Sequence, residues 1–310
     1  MKLGIKIAPG RDYRRDIEAT RPQMVEVWYN QSKPSEYEEL FSYLKTQKLD
    51  VGLHYWGALP SGILTNTSCP DLNISVPSIA HIYATIDVAA TNHFAYVNMH
   101  PDLYSLLQVN FDTMDIRVAS EKANPDVVRK TFMRNMRSLT DYATSKNVIL
   151  TVETVPMRDT TNWRPDRDRT QVIDIHQMSV DVHIDLAAQG IYIANDICHT
   201  ACNLITDDRT SIWKFLQETT HTLARATKLI HLGYLTPPYN GVDFHDSLEN
   251  PVFETHDAIP NKTEMITLLK QNFTNRDDMW ILVEPKTDHV KNYFLARDLL
   301  KKAGVLTKKA

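Results

Sequence analysis

The sequence predicts a (β/α)8 barrel, and three observations carry that prediction. Short runs rich in Val, Ile and Leu alternate with amphipathic stretches from end to end of the 310-residue chain. Eight such runs can be counted, enough to close a parallel barrel, and the length suits one barrel domain spanning 1–310. The chain has only nine glycines, and the turn after its first run, Ile7-Ala-Pro-Gly-Arg, lacks the Gly-rich pattern of an open doubly wound sheet.

The predicted strands are Lys2–Ile7, Met24–Trp28, Val51–Leu53, Phe94–Met99, Val148–Val152, Ile191–Ala194, Lys228–Ile230 and Trp280–Val283. Each is short and apolar almost throughout, as a parallel strand covered on both faces must be. A first helix is expected within Pro9–Pro22. The others are expected over Ser35–Lys48, Pro77–Thr91, Pro125–Ser145, Val172–Gln189, Ser211–Ala226, Lys262–Gln271 and Asp288–Ala303. The fourth of these eight carries the clearest pattern. Val128, Phe132, Met136, Leu139 and Ala143 make one stripe, and Asn124-Pro125 supplies a cap followed by proline at the first helical position.

Charge and composition exclude several classes. A net charge of −4 gives no global basic footprint of the kind that marks a nucleic-acid-coating protein. No apolar run approaches the roughly 18 residues a membrane span needs, so no membrane partner is expected. The start reads as a strand and not as a signal peptide, because no apolar segment follows the first lysines. Cys69, Cys198 and Cys202 make no disulfide framework, which points to a reducing, cytoplasmic setting.

Chemistry is concentrated at the strand ends. The runs end Val-Gly-Leu-His54, Tyr-Val-Asn-Met-His100, Ile-Leu-Thr-Val-Glu153, Ala-Asn-Asp196-Ile-Cys-His199, Lys-Leu-Ile-His231 and Trp-Ile-Leu-Val-Glu284. Asp243-Phe-His245 follows in the loop after the seventh strand. In a closed barrel the C-terminal strand ends face one mouth, so residues far apart in sequence become a single cluster. Imidazole and carboxylate are ligands for zinc, manganese and iron, and nine such groups suffice for two or three ions sharing a bridging carboxylate. Bound cations would also offset the repulsion among so many acids. The remaining seven histidines (His81, His93, His176, His183, His221, His256 and His289) lack this placement and are expected to be structural or solvent-facing.

In these pieces the chain resembles the endonuclease IV family (apurinic/apyrimidinic endonuclease family 2) within the xylose-isomerase-like barrels. The likeness runs from about residue 50 to 286 through Gly-Leu-His54, Asn-Met-His100-Pro, Thr-Val-Glu153-Thr, Asp196-Ile-Cys-His199-Thr, Ile-His231-Leu, Asp243-Phe-His245 and Leu-Val-Glu284. It implies three zinc ions that cleave phosphodiesters, with DNA carrying damaged or abasic sites as first-choice substrate. His54, His100 and Glu153 would hold one ion. Glu153 would bridge to a second held by Asp196, His231 and Glu284, and His199, Asp243 and His245 would hold the third. Glu153 and Glu284 are the expected catalytic groups, placed to orient or deprotonate water. Family members begin Gly-x-His-x-Ser where this chain has Gly4-Ile-Lys6-Ile-Ala, and their arginine after the second strand is replaced by Tyr29-Asn-Gln-Ser-Lys33.

Substrate contacts are expected from Lys33, from Tyr55-Trp56 after His54, and from the loop Met157–Thr170. That loop carries Arg158, Trp163, Arg164, Arg167 and Arg169, balanced by Asp159, Asp166 and Asp168. The alternative function is a sugar or sugar-phosphate isomerase or epimerase of the same superfamily, acting on a small substrate and needing fewer metals. A catalytically inactive barrel that binds a partner is the third class.

Overall fold

The computed structural model describes residues 1–306 except 11, 165–167, 169, 244–245 and 286. Three early strands, β1 (Lys2–Ile7), β2 (Met24–Asn30) and β3 (Asp50–Trp56), lead to β4 (Tyr96–Met99). A hairpin of β5 (Leu107–Asn110) and β6 (Asp115–Val118) precedes β7 (Ile149–Glu153), and a second hairpin, β8 (Arg158–Thr160) with β9 (Val172–Asp174), follows it. Then come β10 (Tyr192–Asp196), β11 (Thr227–Leu232) and β12 (Trp280–Val283). Eight strands close into a barrel in the order β1-β12-β11-β10-β7-β4-β3-β2, and every barrel pairing is parallel.

The helices are α1 (Tyr13–Thr20), α2 (Glu38–Leu44), α3 (Leu72–Thr91), α4 (Pro125–Ser145), α5 (Asp181–Ala188), α6 (Ile197–Ala201), α7 (Arg209–Leu223), α8 (Lys262–Phe273) and α9 (His289–Ala303). α4 has the predicted bounds: Asn124 accepts from the amides of Asp126 and Val127, and the five-residue stripe is buried. α3 begins five residues earlier than the proline suggests. Asp71 caps it, and Pro77 is tolerated inside at the loss of one backbone hydrogen bond. The expected helix Val172–Gln189 is corrected: its first residues pair as β9, His176 takes φ 53°, and helix resumes only at Asp181. No helix among the described residues is long and apolar enough to cross a membrane.

Alternation along the strands divides the barrel interior into two levels. Met24, Tyr96, Ala194, Leu229, Trp280 and Leu282 form an apolar floor. Above it, towards the C-terminal ends, the inward positions turn polar: Lys6 beside Glu26, His54 beside Asn98, and Asp196 beside His231. Gly52 joins the two levels, because a Cβ there would lie 2.0 Å from the Tyr96 ring. The missing side chain lets Tyr96 cross the interior and donate its hydroxyl to Glu26 Oε2 at 3.0 Å. Gly52→Ala is therefore expected to destabilise the protein by about 1–3 kcal/mol through overpacking. Denaturant unfolding checks this, and an unchanged midpoint counts against a tight Tyr96–Gly52 contact.

Candidate metal centre

Each strand delivers its ligand-type side chain to the mouth for a local reason. His54 lies on β3 next to Trp28 of β2, and their rings sit 4.8 Å apart. Asp196 ends β10 and caps α6, accepting from the His199 amide at 2.8 Å. The Asp-x-x-His spacing is thus one turn of helix. His199 Nδ1 donates to the Thr154 carbonyl at 2.8 Å, which turns Nε2 towards Asp243 Oδ2, 3.7 Å away. His183 on α5 donates from Nε2 to the Glu153 carbonyl at 2.7 Å, so this histidine fixes the backbone that carries the central acid.

Glu153 is fully buried at the hub. Its Oε2 accepts from Asn98 Nδ2 and lies 3.5 Å from His54 Nε2, while Oε1 lies 3.3 Å from both His231 Nδ1 and His199 Nδ1 and 3.6 Å from His100 Nε2. His54 Nε2 and His100 Nε2 face each other at 3.1 Å. His231 Nδ1 lies 3.1 Å from Glu284 Oε1 and 3.6 Å from Asp196 Oδ2.

Two donor groups with metal-ligating chemistry emerge around this hub: His54, His100 and Glu153, and Glu153, Asp196 and His231. The distances can be tested against a cation. A tetrahedral zinc ion with bonds of about 2.0–2.1 Å sets its ligand atoms roughly 3.3–3.4 Å apart. The separations of 3.1–3.6 Å bracket that value. Glu153 Oε1 and both ring nitrogens of His231 are buried without a hydrogen bond, which is costly unless another partner claims them. The residues present fit divalent ions.

Electrostatics agree. Glu26, Glu153 and Asp196 are fully buried and Glu284 is 20% exposed, against a single buried ammonium among the described residues, Lys6. Burial alone would raise the Glu26, Glu153 and Glu284 carboxyls; Lys6 and the histidines outweigh it and hold all three well below the ordinary range. Burial would likewise lower His231 and His199. Glu153, Glu26 and Glu284 around the first, and Asp196, Asp243 and Glu153 around the second, drive both well above it instead.

The mouth opens into a cavity of about 320 Å³. Its polar floor includes His54, His100, Glu153, His199, Asp243 and Glu284, and its walls carry Trp28, Tyr55, Trp56, Trp163, Met99 and Leu107. The two hairpins roof it. Bridges tie the first to Ile63 through Gln108 and to the second through Asp115 and Asn162. Asp102 braces one edge, accepting from the amides of Thr67 and Ser68 at 3.0 and 2.7 Å.

Of the substrate contacts expected from sequence, Tyr55, Trp56 and Trp163 line the cavity, although the Tyr55 hydroxyl is engaged with Thr65 at 2.9 Å. Lys33, Arg158 and Arg164 do not line it. Lys33 is an exposed residue paired with Glu36 at 3.4 Å, Arg158 is half-buried at the start of β8, and Arg164 is exposed. His245, Arg167 and Arg169 fall outside the described residues. Glu26 escaped the sequence reading, and Lys6 entered it only as a departure from the resemblance. Glu26 and Lys6 sit within their strands and not at the ends, where the ligands were sought. The signal was a charged residue inside each of two apolar runs.

No family model matches the chain, and no curated protein matches it in sequence. Solved structures do match over nearly the whole length. A D-tagatose 3-epimerase-like protein superposes with a TM-score of 0.62 at 12% identity, over 98% of this chain and 97% of the other. Endonuclease IV from Thermus thermophilus gives 0.56 at 17% identity, over 97% and 100%. A xylose isomerase domain protein from Planctomyces limnophilus gives 0.55 at 12%, over 97% and 95%. These likenesses establish the fold: the chain is a (β/α)8 barrel, an architecture that the matched epimerase-like protein and endonuclease IV share.

Proposed function

We propose that the chain is a metal-dependent phosphodiesterase. One observation carries the reading: His54, His100, Glu153, Asp196, His199, His231, Asp243 and Glu284 all belong to one mouth, with ligand-type contacts of 3.1–3.7 Å among them. A mononuclear centre would need only about four of them. Two or three divalent ions, zinc first among them with manganese or iron as alternatives, would be held by these residues. When bound they would supply neutral-pH hydroxide and offset charge on the phosphoryl oxygens.

The chain's own groups do the rest. Glu284 lines the cavity, and against burial its carboxyl is held well below the ordinary range by Lys6 and His231. As a carboxylate it can orient the attacking water and accept its proton as the water oxygen bonds to phosphorus and the ester P–O bond breaks. Glu153, fixed by Asn98 from its side chain and by His183 through its carbonyl, holds the ligand groups in register. The hairpin roof and the indoles limit solvent access and offer stacking faces to whatever group flanks the phosphate.

DNA with an abasic site is the first substrate to test, and a small aryl phosphodiester is the second, because the roofed cavity suits a compact ligand. Chelator-sensitive cleavage of either supports the reading. A metal-loaded enzyme that cleaves neither retires it. The second reading, a sugar isomerase or epimerase, draws on a specific observation: no lysine or arginine is found among the described residues lining the cavity. Glu153, Asp196, His231 and Glu284 would then hold a single ion. Epimerisation of a ketose by the metal-loaded protein, without diester cleavage, would favour it.

A further inference from the structure

A third group of metal-type donors lies beside the other two: Glu26, His54, His231 and Glu284. A side chain already stands among them. Lys6 Nζ is 2.8 Å from Glu26 Oε1 and makes short hydrogen bonds to Glu284 Oε1 and His54 Nδ1. The lysine is 6% exposed, and its amine lies 4.8 Å from the centre of the Trp28 ring, so water has little access. On the far side, His231 Nε2 is buried without a hydrogen bond and sits 3.1 Å from Glu26 Oε1. Four ligand atoms thus surround a position that a cation of some kind must serve, since Glu26 is fully buried.

We propose that the Lys6 ammonium is a built-in cation that takes the place of a metal ion at the Glu26–His54–His231–Glu284 group. In this role Lys6 is a positioning residue. It neutralises Glu26, which no other lysine or arginine among the described residues pairs with, and its short hydrogen bond holds Glu284 beside it. The exogenous ions are thereby left to the groups built on Glu153 and to the neighbouring His199–Asp243 pair. An ammonium suits this task better than an ion that can dissociate, because the charge is tethered through β1 and present before any metal arrives. This inference rests on the reading that the mouth holds divalent ions.

The test is a metal count. Wild type, Lys6→Met, and Lys6→Met combined with Glu26→Gln are each saturated with zinc, desalted and weighed by native mass spectrometry, with titration calorimetry as a second count. Removing the amine while leaving the acids should open the position, so Lys6→Met is expected to bind one ion more per chain than wild type. The double variant should return to the wild-type number. Equal counts in wild type and folded Lys6→Met would overturn the proposal. If Lys6→Met fails to fold, the double variant decides: recovery of fold supports charge compensation as the role of Lys6, and continued failure contradicts it. A wild type that holds no ion, or one, retires the multinuclear reading by itself, whatever the difference between variants.

Discussion

Glu153→Gln is expected to reduce turnover of the metal-loaded protein by about 10²–10⁴-fold while leaving the fold intact. Glutamine keeps the shape and one acceptor oxygen. It removes the negative charge shared by the two donor groups, and its amide nitrogen cannot ligate. The loss should exceed that from any neighbouring acid, because Glu153 alone belongs to both groups. Bound metal should fall in parallel. In the metal-free state the variant's His231 should titrate at lower pH than in wild type, since Glu153 is the largest influence raising it against burial. Steady-state kinetics with ion counting on the same samples checks the first effect, and histidine titration by NMR the second. A glutamine variant with wild-type turnover and full metal content would remove Glu153 from the centre of the account.

The second large effect is the dependence of metal stabilisation on pH. In the metal-free protein, burial disfavours charged His231 and His199, yet surrounding carboxylates raise both above the ordinary value of 6.5. Their contribution to stability is complete below that value and is lost as pH rises through the raised ones. Glu26, Glu153 and Glu284 are held below 4.5, so their contribution is present above that value and lost as pH falls through the lowered ones. Metal-free protein should therefore be most stable in mildly acidic solution. Metal binding requires neutral imidazoles, releases protons, and tightens as pH rises. The gap in Tm between zinc-loaded and chelated protein should consequently widen from about pH 6 to pH 9. At a free-ion level near 1,000 times Kd the stabilisation would reach about 4 kcal/mol. Scanning calorimetry across that range tests the direction; a gap that narrows towards alkaline pH would be the wrong sign.

The barrel was legible because its eight strands are continuous apolar runs, and β1 and β12 have the predicted bounds. The mouth was legible because parallel strands must deliver their ends to one face. Glu26 was hidden for a related reason. Met24, Glu26 and Trp28 alternate with Val25 and Val27, so strand period places the acid inside, but an apolar run draws attention away from the single charge it contains. Lys6 stands where the family pattern has histidine and reads in the sequence as a departure. Its chemistry depends on three partners 20 to 278 positions away, which no local pattern encodes. The hairpin roof was unreadable for another reason. β8 and β9 are three residues each, and their pairing is set by a long loop and not by periodicity.

The most direct measurement is an anomalous-difference map from zinc-loaded crystals collected on both sides of the zinc edge. At least two peaks are expected within coordination distance of Glu153, one towards His54 and His100 and the other towards Asp196 and His231. A map with no peak beside Glu153, or one ion held elsewhere in the chain, would contradict the multinuclear reading.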